Sequence, residues 1–299
     1  MNGDAGLAPP ATHSTASATA LVLASAACFG SVVIFTELAK RAGASLTTTL
    51  AGRYLAGAVL LLALSGGARA LTRLPRRRVG ALLLAGGGGQ ATIAFLTLRA
   101  LDFVPAATVA FLFYTYPSWV AIFAVVRGSE PVDRTRAIAL ALSLAGIVLM
   151  VGSPWAARLD ARGIALALAG ALAYALYIPV LQRLQAGVGA APSATILVAA
   201  TGVIFTAAGL LTGTLSVHMA PAAWLWIAAL AVICTAVAFV TFLRGLAVLG
   251  PVRTAIVSTV EPFWTLLLAV PALGQPLRPA TAAGGALIAA AVLLLQRRR

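Results

Sequence analysis

Arg99, Pro117, Trp119 and Pro131 recur as Arg244, Pro262, Trp264 and Pro276, each 145 positions later and with no gap. Both sets stand among long apolar runs. A chain that repeats its apolar architecture at a fixed offset is built from two structural copies. In apolar spans that duplication marks a transporter made of two halves.

Composition places both copies in lipid. Of 299 residues, 61% are hydrophobic and 9% charged, with a mean hydropathy of +1.01. Soluble domains carry about 25% charged residues, and so few charges cannot cover a water-facing surface. The net charge is +14, a balance that can signal nucleic acid. Here the basic residues lie in short connections between apolar runs, as in cytoplasmic loops. No aromatic residues interleave with them, so nucleic-acid binding is excluded. Cys28 and Cys234 both lie inside apolar runs. Without a C-x-x-C or a paired framework they read as small packing residues. Residues 1–18 are rich in Ala, Thr, Ser and Pro and hold no Lys or Arg, unlike the positive opening of a secretory signal. A disordered cytoplasmic tail before a retained first span is expected.

A spanning helix needs about 20 mostly apolar residues. That window gives ten spans, at 19–38, 46–65, 80–98, 103–125, 135–152, 162–181, 193–212, 222–243, 251–272 and 280–296. The expected fold is therefore an all-α membrane protein of ten transmembrane helices, five in 19–152 and five in 162–296. With the N-terminus inside, cytoplasmic loops and tail hold 14 Lys and Arg and outer loops 6, Arg53 lying within a span. The bias puts both termini in the cytoplasm. Five is odd, so the second repeat enters the membrane in the opposite sense. Inverted repeats can exchange conformations, one opening outward and its counterpart inward.

The chain has seven acidic residues, and only Glu261 falls near the middle of a span, the ninth. A carboxyl at that depth costs several kcal/mol unless paired, protonated or beside water. It therefore faces the protein interior or a wet cavity, as a contact for a substrate ammonium, a proton site, or a hydrogen bond holding the bundle. Pro262 follows it, and Pro117 is its mate. Each proline removes a backbone donor and frees the carbonyl four residues earlier, Phe113 or Ser258; Pro179 acts likewise on Ala175. The three prolines are expected as hinges, or as kinks of shape alone.

Gly86 to Gly89 form a run in the third span with no Gly-Lys-Ser/Thr after it, so it is no phosphate loop. It lets neighbouring backbones approach. Gln90 follows, and its mate is Thr235; two polar side chains at matched depth suit a central site or interhelical hydrogen bonds. Phe29 mirrors Tyr174 and Trp119 mirrors Trp264, while Tyr114, Tyr116 and Tyr177 lie near the prolines. These aromatics are expected to wall a cavity for apolar or aromatic solutes. Arg53, a third of the way into its span, is expected to snorkel outward rather than hold an anionic substrate. His13 and His218 lie in a tail and a loop, and nothing resembles a metal cluster or a nucleophile–histidine–acid set. The reading has no catalytic residue, no metal and no cofactor.

Phe29-Gly30, Arg53-Tyr54, Arg99-Ala100-Leu101, Pro117 and Ser129-Glu130, then Arg244-Gly245-Leu246, Glu261-Pro262 and Gly274-Gln275 stand in one order across nearly the whole chain. In that order they resemble the drug/metabolite transporter superfamily, and within it the ten-span EamA-type exporters. Gln275 and Ser129 depart from the usual Glu and Gly at those positions. The resemblance implies two five-helix halves around a central cavity, with spans three, four, eight and nine nearest it. It also implies export of small metabolites, amino acids prominent among them, across a bacterial inner membrane. Some relatives carry sugar phosphates. A tightly held phosphate wants buried Arg or Lys, and the span centres are read as holding neither, so a neutral or zwitterionic solute fits better.

The expected function is therefore alternating-access export of amino acids or similar metabolites. Gln90, Thr235, Ser258 and Glu261 supply polar contacts, and Tyr114, Tyr174 and Tyr177 the walls. The partners are a small-molecule substrate and the bilayer, with proton coupling left open. Purine nucleosides or hydrophobic compounds are the alternative cargo. A membrane-embedded lipid enzyme would need clustered His, Asp, Glu or Cys near an interface, and a passive channel a polar pore ring; neither is visible in the sequence.

Overall fold

The computed structural model describes residues 14–66, 71, 74–100, 102–104, 106–129, 133–151, 160–274 and 279–296. Among these, all regular structure is helical. Six stretches are long and apolar enough to cross a membrane: Thr15–Arg41, Leu46–Leu64, Arg76–Thr97, Ala161–Gln185, Ala190–Leu211 and Pro221–Val257. Their outer faces are apolar, with Leu84 80% and Leu211 88% exposed. Surfaces of that kind suit hydrocarbon and not water.

The first half comprises α1 (Thr15–Gly30), α2 (Val32–Arg41), α3 (Leu46–Leu64), α4 (Arg76–Ala81), a π-helical segment Leu82–Gly88, α5 (Gly89–Ala100), α6 (Ala106–Phe113), α7 (Tyr116–Val126) and α8 (Arg134–Val151). The second comprises α9 (Ala161–Gln185), α10 (Ala190–Leu211), α11 (Pro221–Ala231), a π-helical segment Val232–Val237, α12 (Ala238–Val257), α13 (Val260–Leu273) and α14 (Pro279–Gln296). Most of the expected tail, residues 1–13, lies outside the described residues. Helix α1 starts at Thr15, four residues before the hydropathy window, because the Ser14 side chain accepts the Ser17 N–H as its cap.

The 145-residue offset survives in three dimensions. Shifted by 145, the bounds of α8 coincide with those of α14, and α4 begins where α11 does. The packing has the same symmetry: α8 lies on α14 and α3 on α10, while α1 on α12 is answered by α9 on α5. Each half thus completes the other, and neither packs as a separate bundle.

Small residues make the seams. A side chain at Gly146 would lie 2.6 Å from the Gly284 carbonyl and 2.8 Å from Ile288, on the α8–α14 seam. The glycine run behaves as its composition suggests: Gly86 faces Leu197, Gly87 faces Ala200 and Gly89 faces the Tyr177 ring. The Thr201 hydroxyl and the Tyr177 hydroxyl donate to the Gly87 and Gly86 carbonyls. Among the described residues, acidic side chains outside the bundle centre are occupied locally. Glu37 pairs with Arg41 and Asp102 with Arg99. Asp160 caps α9, and the hydrogen bonds from Arg162 hold its carboxyl below the usual range.

Overpacking a close helix seam costs about 1–3 kcal/mol. Gly146→Val should therefore lower the thermal midpoint in detergent. Gly80→Ala, where nothing lies within 4 Å of the added carbon, should leave it unchanged or raise it; equal losses in both would contradict this packing.

Candidate functional site

The two halves break their helices at matched places. Helix α6 ends at Phe113 and α7 resumes at Tyr116; α12 ends at Val257 and α13 resumes at Val260. Both breaks sit just before the paired prolines, Pro117 and Pro262, which cannot donate into the preceding turn. The Ser258 carbonyl is not left free, because the Glu261 N–H takes it at 3.0 Å. A further break falls at Gly250, whose φ of 75° is open to glycine, and shifted by 145 the next residue coincides with the start of α6. Pro179 behaves differently: α9 runs unbroken through it, beside a small pocket shared with Arg183 and Pro251.

Around these breaks lies a cavity of about 240 Å³. Its walls come from more of the bundle than the third, fourth, eighth and ninth spans. Phe29 and Val32 enter from the first, Leu50, Arg53 and Tyr54 from α3, and Tyr174, Tyr177 and Leu181 from α9. Thus Gln90, Tyr174, Tyr177 and Glu261 all line it. Gln90 Nε2 donates to the Tyr54 hydroxyl at 3.3 Å. Tyr174 is held between Phe113, stacked at 5.5 Å, and Tyr116, edge-on at 4.7 Å.

Glu261 is half-buried in the first turn of α13. The Tyr114 hydroxyl donates to its carboxylate, so Tyr114 stands behind the cavity wall and supports it. Ser258 is buried, with its side chain bonded to Tyr116; it too acts behind the wall. Shifted by 145, Tyr116 coincides with Glu261. The repeat therefore offers two equivalent places and fills one with a carboxyl. Gly30 brings α1 against this turn: a side chain there would lie 2.7 Å from the Glu261 carbonyl oxygen. Thr265 donates to the Gly30 carbonyl at 2.8 Å and Trp264 Nε1 to the Ser31 hydroxyl at 3.2 Å.

Arg53 overturns the expectation that it snorkels. It is 5% exposed, lines the cavity, and donates from Nε to Thr235 Oγ1 and from Nη2 to the Cys234 carbonyl, both at 2.9 Å. The physical reason is the π-helical turn Val232–Val237, which offers acceptors inside the bundle within hydrogen-bond reach of the guanidinium. It follows that the interior does hold a buried cation, against the sequence reading. Thr235, expected on the cavity, is instead fully buried beneath Arg53. Sequence reasoning missed Tyr54, Phe239 and Phe242 as wall residues; Arg53-Tyr54 was the available signal. No group of three or more metal-type ligands comes together among the described residues.

Side chains pack closely toward the C-terminal end of α9. Ile178, Leu181, Leu243 and Leu246 are buried, and Gln185 Nε2 donates to the Leu243 carbonyl at 3.0 Å. At the opposite end Val33, also on the cavity, is 60% exposed.

The EamA-like transporter family model matches this chain twice, over residues 16–152 and 161–297. A solved structure described only as "Crystal structure of protein" superposes with a TM-score of 0.82 at 22% identity, covering 95% of this chain and 98% of that one. At that identity the likeness concerns the fold. No curated protein matches the sequence.

Removing the Tyr114 hydroxyl leaves the Glu261 carboxylate short of a donor. A hydrogen bond to a charged group contributes about 1.5–3 kcal/mol. A double-mutant cycle of Tyr114→Phe with Glu261→Gln, read by thermal unfolding, should show coupling above about 1 kcal/mol. Additivity within about 0.3 kcal/mol would mean that the two side chains act separately.

Proposed function

The chain belongs to the EamA-like transporter family, and on that premise we propose that it exports amino acids and similar small zwitterionic metabolites by alternating access. Being a membrane transporter, it works within a bilayer on a small-molecule substrate. In this proposal the chain crosses the membrane ten times in two inverted halves, with both termini in the cytoplasm of a bacterial cell. Transport without chemistry on the substrate completes it.

One observation supports the reading: a cavity lined from both halves, with the packed Ile178, Leu243 and Leu246 on one side as its proposed seal and the exposed Val33 on the other as its proposed mouth. The halves share one contact pattern but differ in shape. The first breaks at Ser31, while its counterpart α9 runs straight through Pro179. Two copies of one architecture held in different conformations are what alternation requires, because exchanging their shapes moves the opening to the other face. The seal at Gln185 and Leu246 then lies toward the cytoplasm, and the state described faces outward. Discontinuous spans at mid-depth are where such transporters hold their substrates, and the breaks before Pro117 and Pro262 serve as the hinges. Gln90, Tyr174, Tyr177 and Glu261 contact the solute directly; Tyr114, Thr235 and Ser258 position their neighbours.

Glu261 is also the place for a coupling proton. Liposomes carrying the purified protein should show counterflow of labelled amino acids in a panel that includes purine nucleosides and sugars. Nucleoside exchange without amino-acid exchange would replace the proposed cargo. Glu261→Gln should abolish accumulation driven by a proton gradient, while counterflow, weakened by the lost ammonium contact, remains measurable. An unchanged response to the gradient would remove proton coupling from Glu261.

A further inference from the structure

We propose that Arg53 anchors the substrate's carboxylate, so that the cavity selects solutes bearing a carboxylate and an ammonium on one small frame. This deepens, and rests on, the reading of the protein as an amino-acid exporter.

Arg53 is fixed along one edge only. Its Nε and Nη2 are held by the Thr235 hydroxyl and the Cys234 carbonyl, both neutral. The guanidinium carbon lies 4.9 Å from the centre of the Tyr54 ring. Gly57, one turn further along α3, lets the π-helical segment come this close: a side chain at 57 would stand 2.6 Å from Thr235 Cγ2. A guanidinium has five N–H donors, so the supported edge leaves others for the cavity that Arg53 lines.

No ion pair joins Arg53 to a carboxylate among the described residues. Glu261 lines the same cavity and feels the Arg53 charge without touching it. A buried charge is stable when it meets a hydrogen-bonded counter-charge. Two opposite charges held apart across one void are both met by a single molecule that carries both signs. A plain amine satisfies Glu261 alone. A phosphate monoester meets Arg53 but sets its second charge near Glu261. The planar fork of a guanidinium also matches a carboxylate in bidentate fashion, which an ammonium cannot do. The remaining wall is largely apolar, with Phe113, Tyr174, Phe239 and Phe242 beside aliphatic side chains, and suits an apolar side chain.

The test is counterflow in proteoliposomes with L-phenylalanine, L-phenylalaninamide, 2-phenylethylamine and 3-phenylpropionate, for the wild type, Arg53→Gln, Arg53→Lys and Thr235→Val. The wild type should exchange phenylalanine at least tenfold better than any of the three single-charge or uncharged-carboxyl probes. Arg53→Gln should raise KM for phenylalanine about 10- to 100-fold, while recognition of the amide and the amine, read as inhibition, stays within about twofold. Arg53→Lys keeps the charge without the fork, so it should raise KM for phenylalanine at least threefold and serves as the deciding variant if Arg53→Gln does not insert. Thr235→Val should raise KM for phenylalanine and not the inhibition constant of the amine. Unchanged phenylalanine KM in the Arg53 variants, or equal losses for phenylalanine and the amine, overturns the carboxylate anchor and leaves the exporter intact. A wild type that moves none of the four probes, and no other amino acid, overturns the exporter reading and the anchor with it.

Discussion

A polypeptide in hydrocarbon has no water to accept its carbonyls or donate to its N–H groups, so any interruption of a helix must be answered from inside the protein. This constraint organises the structure. The helices are interrupted at Ser31, at the π-helical segments Leu82–Gly88 and Val232–Val237, at Tyr114-Thr115, at Gly250 and at Ser258-Thr259. These interruptions are answered by protein groups. The Gly86 and Gly87 carbonyls meet the Tyr177 and Thr201 hydroxyls, the Cys234 carbonyl meets Arg53, and the Ser258 carbonyl meets the Glu261 N–H. Several of the answering residues are cavity residues. Irregular backbone and the candidate site are thus two aspects of one requirement.

Duplication alone would give a symmetric site, and the site is not symmetric. Glu261 has Tyr116 at its repeat-related place, and Arg53 has Val198. One carboxylate and one guanidinium, each supplied by a different half, face a single void. Charges at such depth are costly unless paired, hydrogen-bonded or beside water, and residues that carry them mark pathways. They stand on opposite halves, so the movement that the proposed alternating access requires would change the distance between them.

Much of this was legible in the chain. The 145-residue offset, the intramembrane Glu261 and the prolines at 117 and 262 gave the duplication, the charged wall and the two matched breaks. The glycine run announced close helix packing. Arg53 was misread because snorkelling depends on distance to the interface along one helix. Its true partners are a hydroxyl and a carbonyl about 180 residues away in sequence, on a π-helical turn that hydropathy does not reveal. Thr235 stands out by symmetry with Gln90, but its neighbour is Arg53 and not the cavity, for the same reason. Pro179 looked like Pro117 and Pro262, yet α9 absorbs it without a break. A proline removes one donor, and whether the helix then opens is decided by what packs around it.

Alternating access requires one hollow that is reached from one face of the membrane at a time. The direct measurement places a single cysteine at Ala94 on the cavity wall, in a chain with Cys28 and Cys234 replaced by serine. A membrane-impermeant thiol reagent is then applied to right-side-out and inside-out vesicles with and without amino-acid substrate. Labelling from the outer face of the resting protein, with inner-face labelling appearing only during substrate exchange, is the predicted result. Labelling from both faces at once, or from one face under every condition, would contradict alternating access through this cavity.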